Sequence, residues 1–350
     1  MAAPAPSQPF PRLDFTFAPA WWHARFGMDF SDRRVWMDPI AYVERDREQR
    51  RLLHETFGDV DLGEADPKPR PRAGDEYGHR WMSAFWGCEV VYLVDQAPHA
   101  TPFPDAWERL AALRIPDVAT SPVAQHTLAN ARVLTERYGR CECAINYGGP
   151  LNNAVSVLGE SIYLACAAEP KLADRVLRQM AQAVITAHDE VACPVTGADV
   201  ATARKGSWGI GNCPVGTIDP QMYTRIVLPV DQWFARQFSG PFNLHHCGIF
   251  DRYREAYRPL HFDTMDLGPG SDLRAARAAY PRTPISAWVD VGVLPRLGRT
   301  GIDAMIRGIV NDLGPMELIP AIMVGEAGPE VSDETVRDFL TAPERLKLPG

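Results

Sequence analysis

The sequence lacks the features of a membrane-spanning, secreted or nucleic-acid-binding protein. No apolar run reaches the 18 or more residues of a transmembrane helix, so we expect no membrane partner. The first 13 residues, MAAPAPSQPFPRL, have neither a basic start nor an apolar stretch, which predicts a flexible tail and not a signal peptide. The 350 residues carry 36 Lys and Arg against 44 Asp and Glu, a net charge of −8. Without a basic excess we expect no nucleic-acid partner, and the acidic balance fits a soluble cytoplasmic protein.

Cysteine is scarce, and a dinucleotide-binding glycine motif is missing. The seven cysteines are scattered through a chain too large to need disulfides, so we expect reduced thiols in the cytoplasm. Only Cys141 and Cys143 lie close together, and no second pair completes a four-cysteine zinc site. No G-x-G-x-x-G follows a predicted strand, which disfavours an open dinucleotide-binding sheet.

Short apolar segments alternate with longer helical ones from about residue 140 onward. The predicted strands are residues 143–147, 198–201, 242–247, 264–267, 286–289 and 319–324. Predicted helices cover residues 171–193, a segment that begins at Asp219 and that Pro229 is expected to kink, and a segment from Ile302 that Gly314 closes. Repeated strand–helix units predict parallel strands joined by right-handed crossovers. We therefore predict a (β/α)8 TIM barrel, with an open doubly wound sheet as the alternative.

The region before this alternation has a different composition. Residues 66–76, DPKPRPRAGDE, are Pro-rich and charged, which predicts a surface loop. A helical segment over residues 42–57 precedes this loop, and a short strand over residues 90–94 follows it. We expect residues 1–75 to form an N-terminal tail and helical extension, and residues 76–345 to form the barrel.

The stretch FNLHHCGIF, residues 242–250, carries the clearest chemical signal. Side chains alternate along a strand, so Asn243, His245 and Cys247 are predicted to share the interior face, while Leu244 and His246 pack against helices. In a barrel, His245 and Cys247 then lie at the carboxyl end of a strand, where active sites are built. An imidazole nitrogen and a thiolate at positions i and i+2 form a natural pair of zinc ligands. The alternative is a histidine and a cysteine that are simply part of the core.

Other polar residues lie at predicted strand ends or in loops. Asn146 stands beside two glycines, where backbone can approach a ligand, and Asp199 is predicted to bind substrate or support a ligand histidine. Asn212 and Cys213 lie in the glycine-rich loop GIGNCPVG, which could cover the site. We expect Asn212 to contact substrate, and Cys213 is an alternative metal ligand.

Two aspartates and an aromatic residue complete the candidates. Asp266 and Asp290 both end predicted strands and are expected to support a metal ligand or bind substrate. Trp86 lies in a cluster with Trp81 and Phe85 that suits an aromatic substrate pocket, although such clusters are more often core.

Four segments together resemble the uroporphyrinogen decarboxylase-like superfamily. They are NYGGPLNNAVSVLG (146–159), CPVTGADVATARKGSWG (193–209), IDPQMYTRIVLPVDQWF (218–234) and LHHCG (244–248), in the superfamily's order and spacing. The resemblance spans roughly residues 19–340 and implies a (β/α)8 barrel. One branch of the superfamily decarboxylates uroporphyrinogen III without a cofactor. The other contains zinc-dependent methyltransferases that move a methyl group between a small molecule and the cobalt of a corrinoid protein.

The N-terminal arginine motif of the decarboxylases is not kept. The matching stretch is PAWWHARFGMDF, residues 19–30, in which Pro19, Trp21 and Gly27 are retained. Arg25 is displaced by one position, and Met28 stands where the second arginine should be. A multiply anionic tetrapyrrole needs several placed guanidinium groups. The resemblance therefore favours the methyltransferase branch.

That branch completes its zinc site with a cysteine after the last barrel strand. Here the equivalent stretch is IMVGEAGPE, residues 322–330, and Glu326 stands in the cysteine's place. The resemblance implies zinc held by His245, Cys247 and Glu326, with a degenerate, metal-free site as the alternative. A carboxylate makes the metal a harder Lewis acid, which suits the oxygen of a methyl ether, and we expect an aromatic one.

The resemblance also implies a partner. The chain has no room for its own cobalamin domain, so the corrinoid is expected on a separate protein. Transfer from the corrinoid to a thiol or tetrahydrofolate is an alternative to O-demethylation, and a non-zinc protein that binds a tetrapyrrole is another.

Overall fold

The computed structural model describes residues 10–346, which fall into two compact units. One unit combines Met1–Met28 with Phe242–Gly350, and the other is Asp29–Pro241. None of the helices within residues 10–346 is both long and apolar enough to cross a membrane.

The first unit is a parallel sheet with helices. Its strands are β1 (Arg12–Phe17), β7 (Phe242–His246), β8 (Thr264–Leu267), β9 (Ile285–Trp288) and β10 (Ala321–Ala327). They lie in the order β1-β10-β9-β8-β7, and every neighbouring pair is parallel. Its helices are α1 (Pro19–Phe26), α14 (Leu273–Ala279), α15 (Leu294–Leu313), α16 (Asp333–Leu340) and α17 (Ala342–Leu346).

The second unit is mainly helical. Its strands are β2 (Arg72–Ala73), β3 (Glu89–Val91), β4 (His99–Thr101), β5 (Glu142–Cys143) and β6 (Trp208–Gly211). Strands β2 and β5 pair in parallel, and β3 and β4 form an antiparallel pair. Its helices are α2 (Arg33–Met37), α3 (Pro39–Phe57), α4 (Trp81–Phe85), α5 (Ala106–Arg109), α6 (Pro122–Tyr138), α7 (Pro150–Leu158), α8 (Ser161–Ala168), α9 (Pro170–Ala187), α10 (Cys193–Thr196), α11 (Val200–Ala203), α12 (Pro220–Met222) and α13 (Leu228–Ala235).

The long helices form where the apolar period predicts them. Pro170 begins α9, whose stripe of Val176, Met180 and Val184 is fully buried, as the helical period requires. Helix α15 buries Ile302, Ile306 and Val310 along one face, and Gly314 follows its last residue, as predicted.

Pro229 lies in a helical region whose backbone hydrogen bonds change from the α-helical to the π-helical pattern and back. Asp219 caps α12 by accepting hydrogen bonds from the backbone N–H groups of Gln221 and Met222. A π-helical segment, Tyr223–Val227, separates α12 from α13, and Pro229 is the second residue of α13. Proline has no N–H and clashes with the carbonyl four residues earlier, so a local π-turn accommodates it.

Several sequence-based boundaries are wrong. Residues 198–201 are not a strand, because Asp199 caps α11 by accepting a hydrogen bond from the Thr202 N–H at 2.9 Å. Strand β2 lies within the predicted loop 66–76, and β6 was not predicted. The predicted tail is wrong from Arg12 onward, where β1 begins, and its first nine residues lie outside the described range.

Candidate functional site

Strand β7 presents its two histidines on opposite faces, as the alternation predicts. Phe242, Leu244 and His246 are buried, whereas Asn243 and His245 are only half-buried. His246 packs among aromatic rings, with ring centroids 5.7 to 5.9 Å away, and its Nδ1 lies 3.3 Å from the hydroxyl of Tyr257. These contacts give His246 a packing role and leave His245 as the ligand candidate.

Asp266 orients the His245 ring. The two residues are direct partners in the β7–β8 register, and His245 Nδ1 lies 2.5 Å from Asp266 Oδ1. A carboxylate at Nδ1 holds the proton there and leaves Nε2 as the unprotonated, metal-binding nitrogen. The indole of Trp288 lies edge-on to the imidazole, with ring centroids 5.8 Å apart. Asp266 is thus placed to support the His245 ring, whose role as a metal ligand stays a prediction.

Cys247 provides the second donor beside His245. A ring nitrogen of His245 and the Cys247 Sγ lie within 4.8 Å of each other. Cys247 is exposed and not in a disulfide. A nitrogen and a sulfur donor at this separation fit zinc, which binds both ligand types at about 2.0 to 2.3 Å. The pair therefore has the chemistry and the spacing to share one metal ion.

A close backbone contact fixes the Cys247 main chain. The Gly268 N–H donates to the His246 carbonyl at 2.6 Å. A Cβ added at Gly268 would lie 2.1 Å from the Cys247 carbonyl oxygen and 2.8 Å from the Gly248 nitrogen, closer than real atoms approach. Only glycine therefore allows the end of β8 to lie against the residues that follow β7.

Glu326 lies at a distortion of β10. The β1–β10 register pairs Phe15 with Val324 and Phe17 with Ala327, so β10 carries an extra residue at this point. Glu326 is exposed, has a φ of 56°, and donates its backbone N–H to the Thr16 hydroxyl at 3.2 Å. Among residues 10–346, its carboxylate is not within 4.8 Å of the His245 and Cys247 donors. The structure does not bring Glu326 to the pair, and its role as third ligand stays a prediction.

We expect the Glu326→Gly variant to be about 1 kcal/mol more stable than the wild type. A non-glycine residue with positive φ costs of order 1 kcal/mol or more, and glycine adopts this conformation without strain. Urea unfolding measures the difference. Asp61→Gly is the matched control, because Asp61 has a φ of 57° and lies in the other unit. Its gain should be smaller, because aspartate tolerates positive φ better than glutamate. A loss of stability in Glu326→Gly would contradict the strain at this position.

The other predicted site residues in the second unit have separate structural roles. Asn146 is exposed and its Oδ1 accepts a hydrogen bond from the Gly148 N–H at 3.1 Å. Asp199 is exposed and caps α11. Trp86 is 7% exposed, and its indole N–H has no hydrogen-bond partner among residues 10–346. Cys213 begins a short 3-10 helix, Cys213–Thr217, and Asn212 separates it from the end of β6. Substrate contacts by these residues stay predictions.

Asn212 and Asp290 are engaged with neighbouring protein groups. Asn212 is fully buried and its amide donates to Asp231 Oδ2 at 3.1 Å. Asp290 is exposed and accepts a hydrogen bond from the Gly292 N–H at 2.9 Å. In the sequence, Asp266 and Asp290 were equivalent candidates for supporting a metal ligand. The β7–β8 register distinguishes them, because it pairs Asp266 with His245.

A second group of possible metal ligands lies in the second unit. Donor atoms of His188, Asp189 and Cys193 are within 4.8 Å of one another. His188 Nδ1 lies 2.8 Å from Asp189 Oδ1, and the Arg204 guanidinium donates to both oxygens of the same carboxylate. Burial raises the pKa of Asp189, but the hydrogen bonds from Arg204 and His188 outweigh it and lower the pKa overall. A guanidinium already occupies this carboxylate, so the group is an ion-pair network.

Sequence reasoning missed two residues of the candidate site. Trp288 ends β9 in the stretch SAWVD, and a Cβ at Gly325 would lie 2.4 Å from its ring. Gly268 follows β8 directly. A glycine after a strand was the available signal for Gly268, because glycine often marks close backbone approach.

Comparisons with known proteins identify the fold. The family model of uroporphyrinogen decarboxylase (URO-D) matches residues 82–324. A solved methyltransferase from Methanosarcina mazei is 15% identical with a TM-score of 0.65, covering 98% of this chain and 96% of that chain. A B12-independent methionine synthase from Shewanella sp. W3-18-1 is 10% identical with a TM-score of 0.47, covering 97% of this chain and 96% of that one. A search of curated protein sequences found no match. The predicted superfamily and its (β/α)8 barrel are confirmed.

Proposed function

We propose that this chain, which belongs to the uroporphyrinogen decarboxylase family, is a zinc-dependent methyltransferase that works with a corrinoid on a separate protein. The observation that carries the proposal is the arrangement of His245, Cys247 and Asp266. A nitrogen and a sulfur donor lie within 4.8 Å of each other, and a carboxylate at Nδ1 favours the tautomer that leaves Nε2 for a metal. The structural neighbour from Methanosarcina mazei, which is itself described as a methyltransferase, agrees with this class of reaction.

The protein's own groups prepare the site. Asp266 accepts a hydrogen bond from the Nδ1–H of His245 and keeps Nε2 available, while Gly268 fixes the main chain that carries Cys247. Bound zinc would supply a Lewis acid for the methyl-bearing substrate. His245 and Cys247 would hold the ion, with Glu326 proposed as the third ligand.

The substrate that we propose is an O-methyl compound of the aromatic methyl ether class. A carboxylate in place of a third thiolate leaves the metal harder and better suited to oxygen than to sulfur. The missing guanidinium at Met28 argues against a multiply anionic tetrapyrrole. Reverse transfer, from the corrinoid to a thiol or to tetrahydrofolate, is the competing reaction.

Elemental analysis combined with a methyl-transfer assay tests the proposal. We expect about one zinc per chain, its loss in Cys247→Ala and its retention in Cys143→Ala, a cysteine of the other unit. Methyl transfer from a methoxyarene to a cob(I)alamin carrier should follow the zinc content. Glu326→Gln and Cys213→Ala, measured in parallel, identify which of the two residues contributes to metal binding.

Distinct results would contradict distinct parts of the proposal. Absence of zinc, or zinc retained in Cys247→Ala, would overturn the metal site. Transfer to thiols or tetrahydrofolate, with none from a panel of ethers, would overturn the substrate class and keep the methyltransferase assignment.

A further inference from the structure

A carboxyl group in the second unit is buried without a cation. Asp231 of α13, Asn212 at the end of β6 and Tyr223 of the π-helical segment are each 0% exposed. The Asn212 amide and the Tyr223 hydroxyl both donate to Asp231 Oδ2, at 3.1 and 2.9 Å. The second carboxyl oxygen, Asp231 Oδ1, is buried and has no partner among residues 10–346, and the same holds for Asn212 Oδ1.

An ionised carboxylate is costly in these surroundings. Helix α9 packs against α13, and its buried residues include Val176, Met180 and Val184. Asp231 accepts hydrogen bonds from Asn212 and Tyr223, and within residues 10–346 no charged side chain offsets its burial. A buried charge without a partner is normally neutralised by a proton. Burial accordingly raises the pKa of Asp231 to about 7, against the lowering effect of the two hydrogen bonds.

We propose that Asp231 is a protonated positioning residue, whose Oδ1–H donates to Asn212 Oδ1 and closes a two-hydrogen-bond pair between a carboxylic acid and an amide. A carboxylic acid and a primary amide that already share one N–H···O bond pair in a planar ring through the second. A proton on Asp231 Oδ1 makes this oxygen a donor, and Asn212 Oδ1 can accept the hydrogen bond. One proton therefore gives both buried oxygens a partner. Without that proton, two acceptors stay buried and unsatisfied, at a cost comparable to lost hydrogen bonds.

The pair fixes two loops at strand ends. Asn212 connects β6 to the loop that begins at Cys213. A Cβ at Gly149 would lie 2.5 Å from the Gly211 carbonyl oxygen and 3.2 Å from Asn212 Oδ1, so the loop after β5 also rests on this residue. In a (β/α)8 barrel, loops at the carboxyl ends of strands carry the active site. The inference goes beyond the proposed function and does not depend on zinc or on the substrate.

The pair is expected to open when Asp231 ionises. Its folded-state pKa is raised from 3.8 to about 7, so the stability it contributes is fully present below pH 3.8 and is lost as the pH rises towards and through 7. The lost proton leaves a carboxylate oxygen facing the Asn212 carbonyl. Residues 208–217 should then exchange their amide hydrogens faster.

Hydrogen exchange and infrared spectroscopy test the proposal on the whole protein. Between about pH 6 and about pH 8, after correction for intrinsic rates, wild-type protection of residues 208–217 should fall about tenfold, the effect of one lost hydrogen bond. Asp231→Asn should remove this pH dependence, because its amide can donate permanently to Asn212 Oδ1. Asp338→Asn is the control, since Asp338 is also buried but is ion-paired with Arg299 at 2.7 Å, and it should leave the pH dependence unchanged.

The infrared measurement needs only wild-type protein whose aspartic acid residues carry an isotope label. The carbonyl band of a protonated aspartic acid should be present at about pH 6 and decline through pH 7. Absence of this band at about pH 6, or equal protection of residues 208–217 at both pH values, would overturn the proposal. These measurements decide the question even if Asp231→Asn does not fold.

Discussion

Replacement of Asp266 by alanine is expected to weaken zinc binding about 10- to 100-fold while His245 and Cys247 stay in place. The Asp266 carboxylate lies 2.5 Å from His245 Nδ1, on the strand next to β7 and in direct register. Without it, the Nδ1 proton has no fixed acceptor, and the ring can rotate or adopt the tautomer in which Nε2 is protonated. Competition with a chelator of known affinity measures the change.

Asp290→Ala is the matched control for this experiment. Asp290 lies two residues after the end of β9 in the first unit, and among residues 10–346 the hydrogen bond that its carboxylate accepts comes from the Gly292 N–H. We expect its zinc affinity to equal that of the wild type. Equal losses in both variants would show that a general change of charge, and not the orientation of His245, causes the effect. Unchanged affinity in Asp266→Ala would contradict a supporting role for Asp266.

The β7 portion of the site could be predicted because alternation is a local property. A strand sends successive side chains to opposite faces, so the sequence FNLHHC alone separated His245 from His246. The pairing of His245 with Asp266 was different. It depends on the register between two strands that lie 21 residues apart, and periodicity within one strand carries no information about register.

Glu326 and Asp199 show why the rest could not be predicted. The placement of Glu326 relied on matching the stretch that follows the last barrel strand, but Glu326 lies within β10, which contains an extra residue beside β1, and its backbone has a positive φ. Asp199 was assigned to a strand because residues 198–201 were interpreted as one of the short apolar segments that alternate with longer helical ones. Aspartate, however, also caps helices, and this competing role prevailed. Strand β1 was missed since its six residues follow a Pro-rich start.

Gly268→Ala is expected to destabilise the protein by roughly 1–3 kcal/mol and to reduce the zinc content of the chain. The new Cβ would lie 2.1 Å from the Cys247 carbonyl oxygen and 2.2 Å from its carbonyl carbon. Both are backbone atoms, which no side-chain rotation can move aside. The main chain at Cys247 must therefore shift, which strains the hydrogen bond from the Gly268 N–H to the His246 carbonyl and displaces the thiolate donor.

Gly308→Ala, in the exposed part of α15, is the same substitution, but we expect it to stabilise the protein. A Cβ at Gly308 meets no atom within 4 Å, and alanine in a helix is favoured over glycine by about 0.5–1 kcal/mol. Urea unfolding should therefore give opposite signs for the two variants, with normal zinc content only in Gly308→Ala. If Gly268→Ala were destabilised but kept its zinc, the close contact would be a requirement of the fold and Cys247 would not depend on it. If Gly268→Ala matched the wild type in both measurements, the backbone near Cys247 would not be fixed by this contact.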